Sequence, residues 1–417
     1  MPVGLAGAPL IDALPRLRPR LAELERELAE VEAAATALRD AVGAELVRAR
    51  RGLHDELLAL EARGVAAETA RAFVVEGWVP ARARAALATE LHARLGDAVV
   101  VETVGRDHWR GAEAPVVLTN PRVFEPFERL TAMLPLPRYG SVDPTPFVAV
   151  FFPMLFGIIV GDVGYGLLLA TIAAILFARG RGRGLARDLA KIAAAVASYM
   201  IIFGVLYGEL FGDLGERWFG MRPLWLDRED AVLPFLGLAI ALGLVHMLLG
   251  LVVSAISRRG HPREAAGRGL TALMLLLIAL ALATVFELLP HALFTPAIVA
   301  LLVAFPILIA LEGATALLEL LTTVGHVLSY ARVMALGTAS VMLAVVANRM
   351  VGAFGGAVIG VVFALLFHLV NFAIALFSPT IHVLRLHYVE FFGTFFSPGG
   401  GRYQPFAHWS PGSVASP

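Results

Sequence analysis

From Thr145 to Thr394 the chain is a succession of apolar runs, several near the length of about 20 residues that a helix needs to cross a bilayer. With 58% hydrophobic residues and a mean hydropathy of +0.75, a chain of 417 residues is too apolar for a soluble globular protein. The runs predict an all-α, multi-pass membrane domain of about eight spans. They fall near 145–160, 163–178, 188–211, 231–255, 269–289, 295–311, 313–350 and 355–394. The first two meet at Gly161-Asp162-Val163-Gly164, where two glycines permit a tight reversal, and each is short for a bilayer. The last two are oversized. An unbroken helix over 313–350 would be ~57 Å long, against a hydrocarbon core of about 30 Å. Such segments either tilt steeply, forming a wall against a curved partner, or are kinked.

Charge divides the chain. Residues 1–140 hold 18 of the 34 basic and 20 of the 34 acidic residues, so the first third reads as soluble. The transition is the turn-rich stretch 134-LPLPRYGSVDPTPF-147. Basic residues cluster after span two (Arg179, Arg181, Arg183, Arg187) and after span four (Arg258, Arg259, Arg263, Arg268). By the excess of basic residues in cytoplasmic loops, both links and both termini are expected on the cytoplasmic side. The first 20 residues have no basic start, and Asp12 breaks their apolar run, so they do not read as a cleaved signal. Net charge is zero and gives no reason to expect nucleic acid; the absence of cysteine excludes disulfides and thiol chemistry.

In the soluble third, Leu17, Leu21, Leu24, Leu28, Val31, Ala35, Leu38 and Val42 recur in alternating steps of four and three. This 3.5-residue period predicts a helix from about Pro15 to Arg63, either a coiled-coil strand or a helix packed on its own domain. Residues 65–104 then read as a small α/β module: RAFVVEGWV a strand, Ala81–Leu95 a helix, DAVVVETV a second strand. It has no phosphate loop, nucleophile elbow or metal-ligand spacing. The expected organisation is an arm over 1–64, a membrane-proximal module over 65–140 and a membrane domain over 141–417.

Ionisable residues within apolar spans are costly and point to function. Arg332 lies in the middle of 328-LSYARVMALG-337. Glu312, Glu319 and His326 are spaced by seven, on one helical face if the segment is one helix, with Arg332 about 120° away. The last span carries His368, Asn371, His382, Arg385, His387 and Glu390; Asn371 and His382 share a face, and Arg385 lies one turn further. Each residue also has a plainer reading. Arg385 could snorkel to the interface, and Arg332 could pair with Glu209 or Glu287. Asp162 could cap the second span, Glu209 could be interfacial, and His246 could be a hydrogen-bonded packing residue.

Three motifs, in order, resemble one family. FFPMLFGIIVGDVGYGLLL (151–169) looks like the first membrane hairpin of subunit I of V/A-type ATPases, the counterpart of vacuolar ATPase subunit a. LSYARVMALGTA (328–339) resembles its arginine-bearing helix, and IHVLRLHYVEFFGTFFSPGGGRYQPF (381–406) its C-terminal signature. EGWVP (76–80) and NPRVFEPFERL (120–130) resemble its membrane-proximal lobe, so the likeness covers about residues 65–406.

The resemblance implies a non-catalytic stator subunit of a rotary ATPase, without cofactor or bound nucleotide. It implies two offset aqueous half-channels beside a ring of proteolipid rotor subunits, each with a carboxylate, and contact with peripheral stalks. It places the family's essential arginine on Arg332 and its second on Arg385. Glu319, His326 and Glu312 are then expected to line one half-channel and His382 with Arg385 the other, with Glu209, Asp162, Asn371 and His368 as further lining. A multi-pass protein of a prokaryotic plasma membrane follows, carrying H⁺ or Na⁺. Family members begin with a longer cytoplasmic half, with two lobes and two coiled-coil strands; here one strand and one module are evident. The rival from another class is a stand-alone secondary transporter with broken helices, which would explain the glycine breaks and buried charges but not the arm or the oversized segments.

Overall fold

The computed structural model describes residues 10–105, 114–180, 184–353 and 358–407. They fall into two compact units, Met1–Val104 with Tyr403–Pro417, and Gly105–Arg402. Arg181 and Arg183, expected in a basic link, lie outside the described residues.

In the first unit, helix α1 runs from Leu10 to Val65, 56 residues or ~84 Å. It is longer at both ends than the periodicity required. The apolar seam is open: Leu21, Leu24, Leu28, Val31 and Leu38 are all exposed, so among the described residues nothing covers it. The helix is therefore present, and no coiled-coil pairing of it occurs among the described residues. The α/β module is slighter than expected. Ala67–Glu68 (β1) pairs antiparallel with Phe73–Val74 (β2), and helix α2 spans Arg84–Leu95. DAVVVETV forms no strand: a 3₁₀ turn over Gly96–Ala98 leads into irregular chain. A run of valines supplies β-propensity, but propensity alone does not make a strand.

In the second unit a short helix α3 (Glu128–Thr131) precedes the apolar helices. The Asn120 amide bridges Glu128 and Asp143 at 2.8 Å each. Burial raises the Glu128 carboxyl above its ordinary range, with the Asn120 hydrogen bond pulling the other way. The apolar helices are α4 (Thr145–Val160), α5 (Val163–Arg179), α6 (Leu185–Tyr207), α8 (Val232–Ser257), α9 (Pro262–Val285), α10 (Phe294–Glu312), α11 (Ala316–Leu328), α12 (Ala331–Ala353) and α13 (Val358–Arg385). A six-residue α7 (Leu214–Phe219) lies in the link after α6. Among the described residues six helical segments are long and apolar enough to cross a membrane, the last two being Ala316–Val351 and Val358–Thr394. Helices α4 and α5, with 16 and 17 residues, are apolar but shorter.

The oversized segments are broken rather than straight. Gly313, at φ 86°, ends α10 and separates Glu312 from the helix that follows. Ser329 and Tyr330 form a turn between α11 and α12. Arg385 ends α13, and a π-helical turn (Leu386–Phe391) and a 3₁₀ turn (Phe392–Thr394) follow.

Helix α4 packs on α6 and α12, α5 on α6, α8 on α9, α9 on α10, and α12 on α13. Close approach needs small residues, as between helices in lipid generally. A Cβ on Gly157 would lie 2.7 Å from the Tyr199 Cβ. The largest buried cluster includes Phe152, Leu155, Ile159, Met200, Phe235, Tyr330, Val333 and Phe391. The SPGGG segment lies along residues 136–138. Arg138 N–H donates to Ser397 O at 2.8 Å, and Gly400 N–H to Leu136 O at 3.0 Å. A side chain at Gly400 would collide with the Pro137 carbonyl.

Candidate functional site

Arg332 sits in the first turn of α12, just past the break at Ser329–Tyr330, and not in mid-helix as the sequence suggested. Tyr330 is fully buried; its ring lies against Gly243 of α8, where a Cβ would come within 2.6 Å. Its hydroxyl is 2.5 Å from His246 Nδ1, so His246 is the hydrogen-bonded packing residue anticipated. The Arg332 side chain is 21% exposed. Its Nη1 lies 3.8 Å from Glu390 Oε1 and has no hydrogen-bond partner among the described residues. Neither partner suggested by the sequence is taken: Glu209 is bound elsewhere, and Glu287 is exposed at the end of α9, with φ 58°. His382, on the last turns of α13, is half-buried within the fields of both Arg332 and Arg385, and its Nδ1 has no hydrogen-bond partner among the described residues. Arg385 is exposed.

Glu312, Glu319 and His326 do not form one helical stripe. Glu312 ends α10, while Glu319 and His326 lie on α11. Tertiary packing nevertheless reunites the two carboxylates. Arg268 of α9 forms an ion pair with Glu319, and both act electrostatically on Glu312. Arg263 caps the end of α10 by donating to Leu311 O (3.0 Å) and Ala310 O (2.8 Å). His326 is half-buried two turns beyond Glu319, on the side of the break away from Arg332.

A second polar group is built around the α4–α5 turn. Asp162, 2% exposed, caps α5 by accepting from Tyr165 N–H at 3.0 Å. It also accepts from Phe211 N–H (3.0 Å) and Gly212 N–H (2.8 Å). Phe211 and Gly212 both have positive φ, a conformation that turns successive N–H groups toward one anion. Beside it, Arg228 is fully buried. It donates to both oxygens of Glu209 and to the carbonyls of Ile159 (2.6 Å) and Gly161 (3.1 Å), and its guanidinium lies 4.5 Å from the centre of the Tyr207 ring. Arg228 thus closes the C-terminus of α4 with positive charge. It lies in the 212–230 link, which the sequence gave no reason to think buried.

From the same link a chain of hydrogen bonds enters the bundle. Asn348 Nδ2 donates to Asp213 Oδ1 at 2.6 Å, and Asn348 Oδ1 is 2.8 Å from His368 Nε2. His368 Nδ1 is 2.8 Å from the Tyr165 hydroxyl, which accepts from Asn371 Nδ2 at 2.9 Å. Asn371 is 2% exposed, and its Oδ1 has no hydrogen-bond partner among the described residues. The chain therefore joins the expected residues His368 and Asn371 to three that sequence reasoning missed, Tyr165, Asn348 and Asp213.

A profile of the V-type ATPase 116kDa subunit family matches residues 63–214. The chain is 30% identical to the A-type ATP synthase subunit I of Pyrococcus horikoshii, over 95% of this chain and 63% of that one. It is 29% identical to that of Methanocaldococcus jannaschii, over 84% and 58%. For Methanothermobacter thermautotrophicus the figures are 30%, 93% and 59%. The chain belongs to the V/A-type ATPase subunit I family. It spans about 60% of the length of these curated relatives. The family match takes in the α4–α5 turn with Asp162 and ends at Leu214, after Phe211 and Gly212, whose N–H groups meet Asp162. Arg332, Arg385 and the carboxylates of α10 and α11 lie beyond it, within the span shared with the P. horikoshii subunit.

Proposed function

We propose that this chain is the membrane stator subunit of a rotary ATPase or ATP synthase, passing protons between two half-channels and carboxylates on a ring of rotor subunits. The observation that carries the reading is Arg332: a guanidinium among apolar helices, partly exposed, with Nη1 free of any hydrogen bond among the described residues. A cation at depth is costly, and one left under-satisfied suits a transient partner. A protonated rotor carboxylate is neutral and can face lipid. Beside Arg332 its ionised form is favoured, so the proton is released there. Arginine keeps its charge when buried, where lysine can lose its own. The fixed charge also repels protons and blocks a direct leak between the half-channels.

Glu319, His326 and Glu312 line the first path, at the end where α9 begins and α10 ends. The basic residues there, Arg258, Arg259, Arg263 and Arg268, make that end cytoplasmic. His382 and Arg385 line the inner end of the second path. It continues along α13 to Asn371 and His368, and by Tyr165 and Asn348 to Asp213 in the 212–230 link. Asp162, Glu209 and Arg228 hold the frame of that second mouth. The unpartnered seam of α1 supports a further role for the arm as an attachment for stalk subunits.

Measurement of ATP-driven proton pumping by the assembled, reconstituted complex tests the reading. Arg332→Ala is expected to abolish coupled pumping while leaving ring and stator assembled; full pumping by that variant would overturn the assignment.

A further inference from the structure

Arg228 and Arg332 are held in opposite ways. Arg228 is bound by both oxygens of Glu209 and by backbone carbonyls, with a fully buried side chain; it is a static pair. Arg332 also has a carboxylate of its own chain beside it, but Glu390 Oε1 stands 3.8 Å from Nη1, within ion-pair range and beyond hydrogen-bond range. Glu390 is 2% exposed, and its Oε2 has no hydrogen-bond partner among the described residues; nor has Arg332 Nη1. A carboxylate and a guanidinium so close, each with an unfilled bond, are one short side-chain movement from a charge-assisted hydrogen bond.

The backbone aims the acid. Glu390 lies on the π-helical turn Leu386–Phe391, which interrupts the α-helical register after Arg385 and brings His387 and Glu390 into the interior. Such turns recur at functional sites. The titratable and charged groups around it come from every neighbouring element. Tyr330 of the α11–α12 turn lies within the field of Glu390, and its hydroxyl is held by His246 of α8. The His246 ring lies 5.4 Å from that of His387, and Nε2 of each has no hydrogen-bond partner among the described residues. On α13, His382 lies within the fields of Arg332 and Arg385, and Phe147 and Phe151 of α4 face the π turn with apolar rings.

We infer that Glu390 is the resting counter-ion of Arg332: it holds the guanidinium between encounters and yields it each time an acidic group on a partner arrives. This rests on the role proposed above for Arg332 and makes Glu390 a positioning residue for it. The loose geometry follows from that duty. A hydrogen-bonded pair like Arg228–Glu209 would compete too well with the incoming acid, whereas a distant one would leave a bare cation at depth. By supplying negative charge near Arg332, Glu390 also limits how firmly the ionised incoming acid is held. Removing that charge strengthens the hold, and the acid then leaves only when protons are more concentrated.

The test is the pH profile of ATP-driven proton pumping by the assembled complex carrying Glu390→Gln, Glu390→Asp or Arg332→Ala. With Gln, isosteric and uncharged, the alkaline limb is expected to move toward acid by about one pH unit, the size of shift one nearby charge produces. With Asp, which keeps the charge but withdraws it by one methylene, a smaller displacement of the same sign is expected. A purely structural role would lower the amplitude and leave the limb in place. An unmoved limb with Gln, in a preparation where Arg332→Ala is inactive, overturns the inference and leaves the role of Arg332 standing. If Gln fails to assemble, the Asp variant decides on the same criterion. Full pumping by Arg332→Ala overturns both.

Discussion

Replacing Arg228 by methionine tests whether the α4–α5 turn is held by charge or by packing. The substitution keeps an unbranched, buried side chain but removes the donors that satisfy Glu209 and the last carbonyls of α4. Glu209 has a side chain only 10% exposed, so its carboxylate is left without a cation away from water. Breaking a buried pair from one side costs about 3–5 kcal/mol. Glu209→Leu should cost less, since Arg228 keeps its bonds to Ile159 and Gly161. The double variant has no unpaired charge, so its cost should fall short of the sum of the two single costs by about 2–3 kcal/mol, the upper part of the range seen for directly coupled residues. The assay is unfolding of the purified chain in detergent, followed by denaturant titration for the wild type, both single variants and the double. Strict additivity, or an Arg228→Met cost below about 1 kcal/mol, would refute the reasoning and make the pair incidental to the turn.

Two further outcomes are expected. Glu319→Gln should slow proton pumping without abolishing it, because Glu312 remains beside Arg268 to serve the same path; an unchanged rate removes Glu319 from the path. Its effect on stability should stay below about 1 kcal/mol, since the carboxylate is 37% exposed and its ion pair is partly screened. Tyr165→Phe removes the hydroxyl that joins His368 to Asn371, leaving both without that partner. It should destabilise the chain by about 1–3 kcal/mol and slow transport, and intact pumping would show that the polar chain is a tether alone.

Most of the apolar helices were legible in the sequence to within a few residues, although α9 begins at Pro262, well before the expected 269. Membrane partition depends on a local sum of side-chain transfer energies, taken over a window of about 19 residues, roughly one membrane span. The reversal at Gly161–Gly164 and the Asp162 cap were readable for the same reason: their determinants lie within a few residues of one another. So was the choice of Arg332 as the residue to explain, because a charge in an apolar run is anomalous wherever the helices go.

What the sequence could not reveal lies in contacts between distant segments. No glycine or proline marks the break at Ser329–Tyr330; it forms where the Tyr330 ring meets Gly243, 87 positions earlier, and places its hydroxyl on His246. The stripe expected from Glu312 to His326 was lost at another point, Gly313, which ends α10 at φ 86° before α11 begins. The reunion of Glu312 with Glu319 depends on Arg268, some 50 residues upstream. DAVVVETV had the composition of a strand and forms none among the described residues. Composition and periodicity thus determined which segments are helical, which are apolar and which residues are out of place in them. The crossing of the helices decided which misplaced charges are satisfied and which stay available: Arg228 is closed on every side, and Arg332 stands 3.8 Å from Glu390 with a hydrogen bond still to give. Hydropathy is additive along the chain, whereas a hydrogen bond needs two atoms within about 3 Å, and only the packed structure sets that distance.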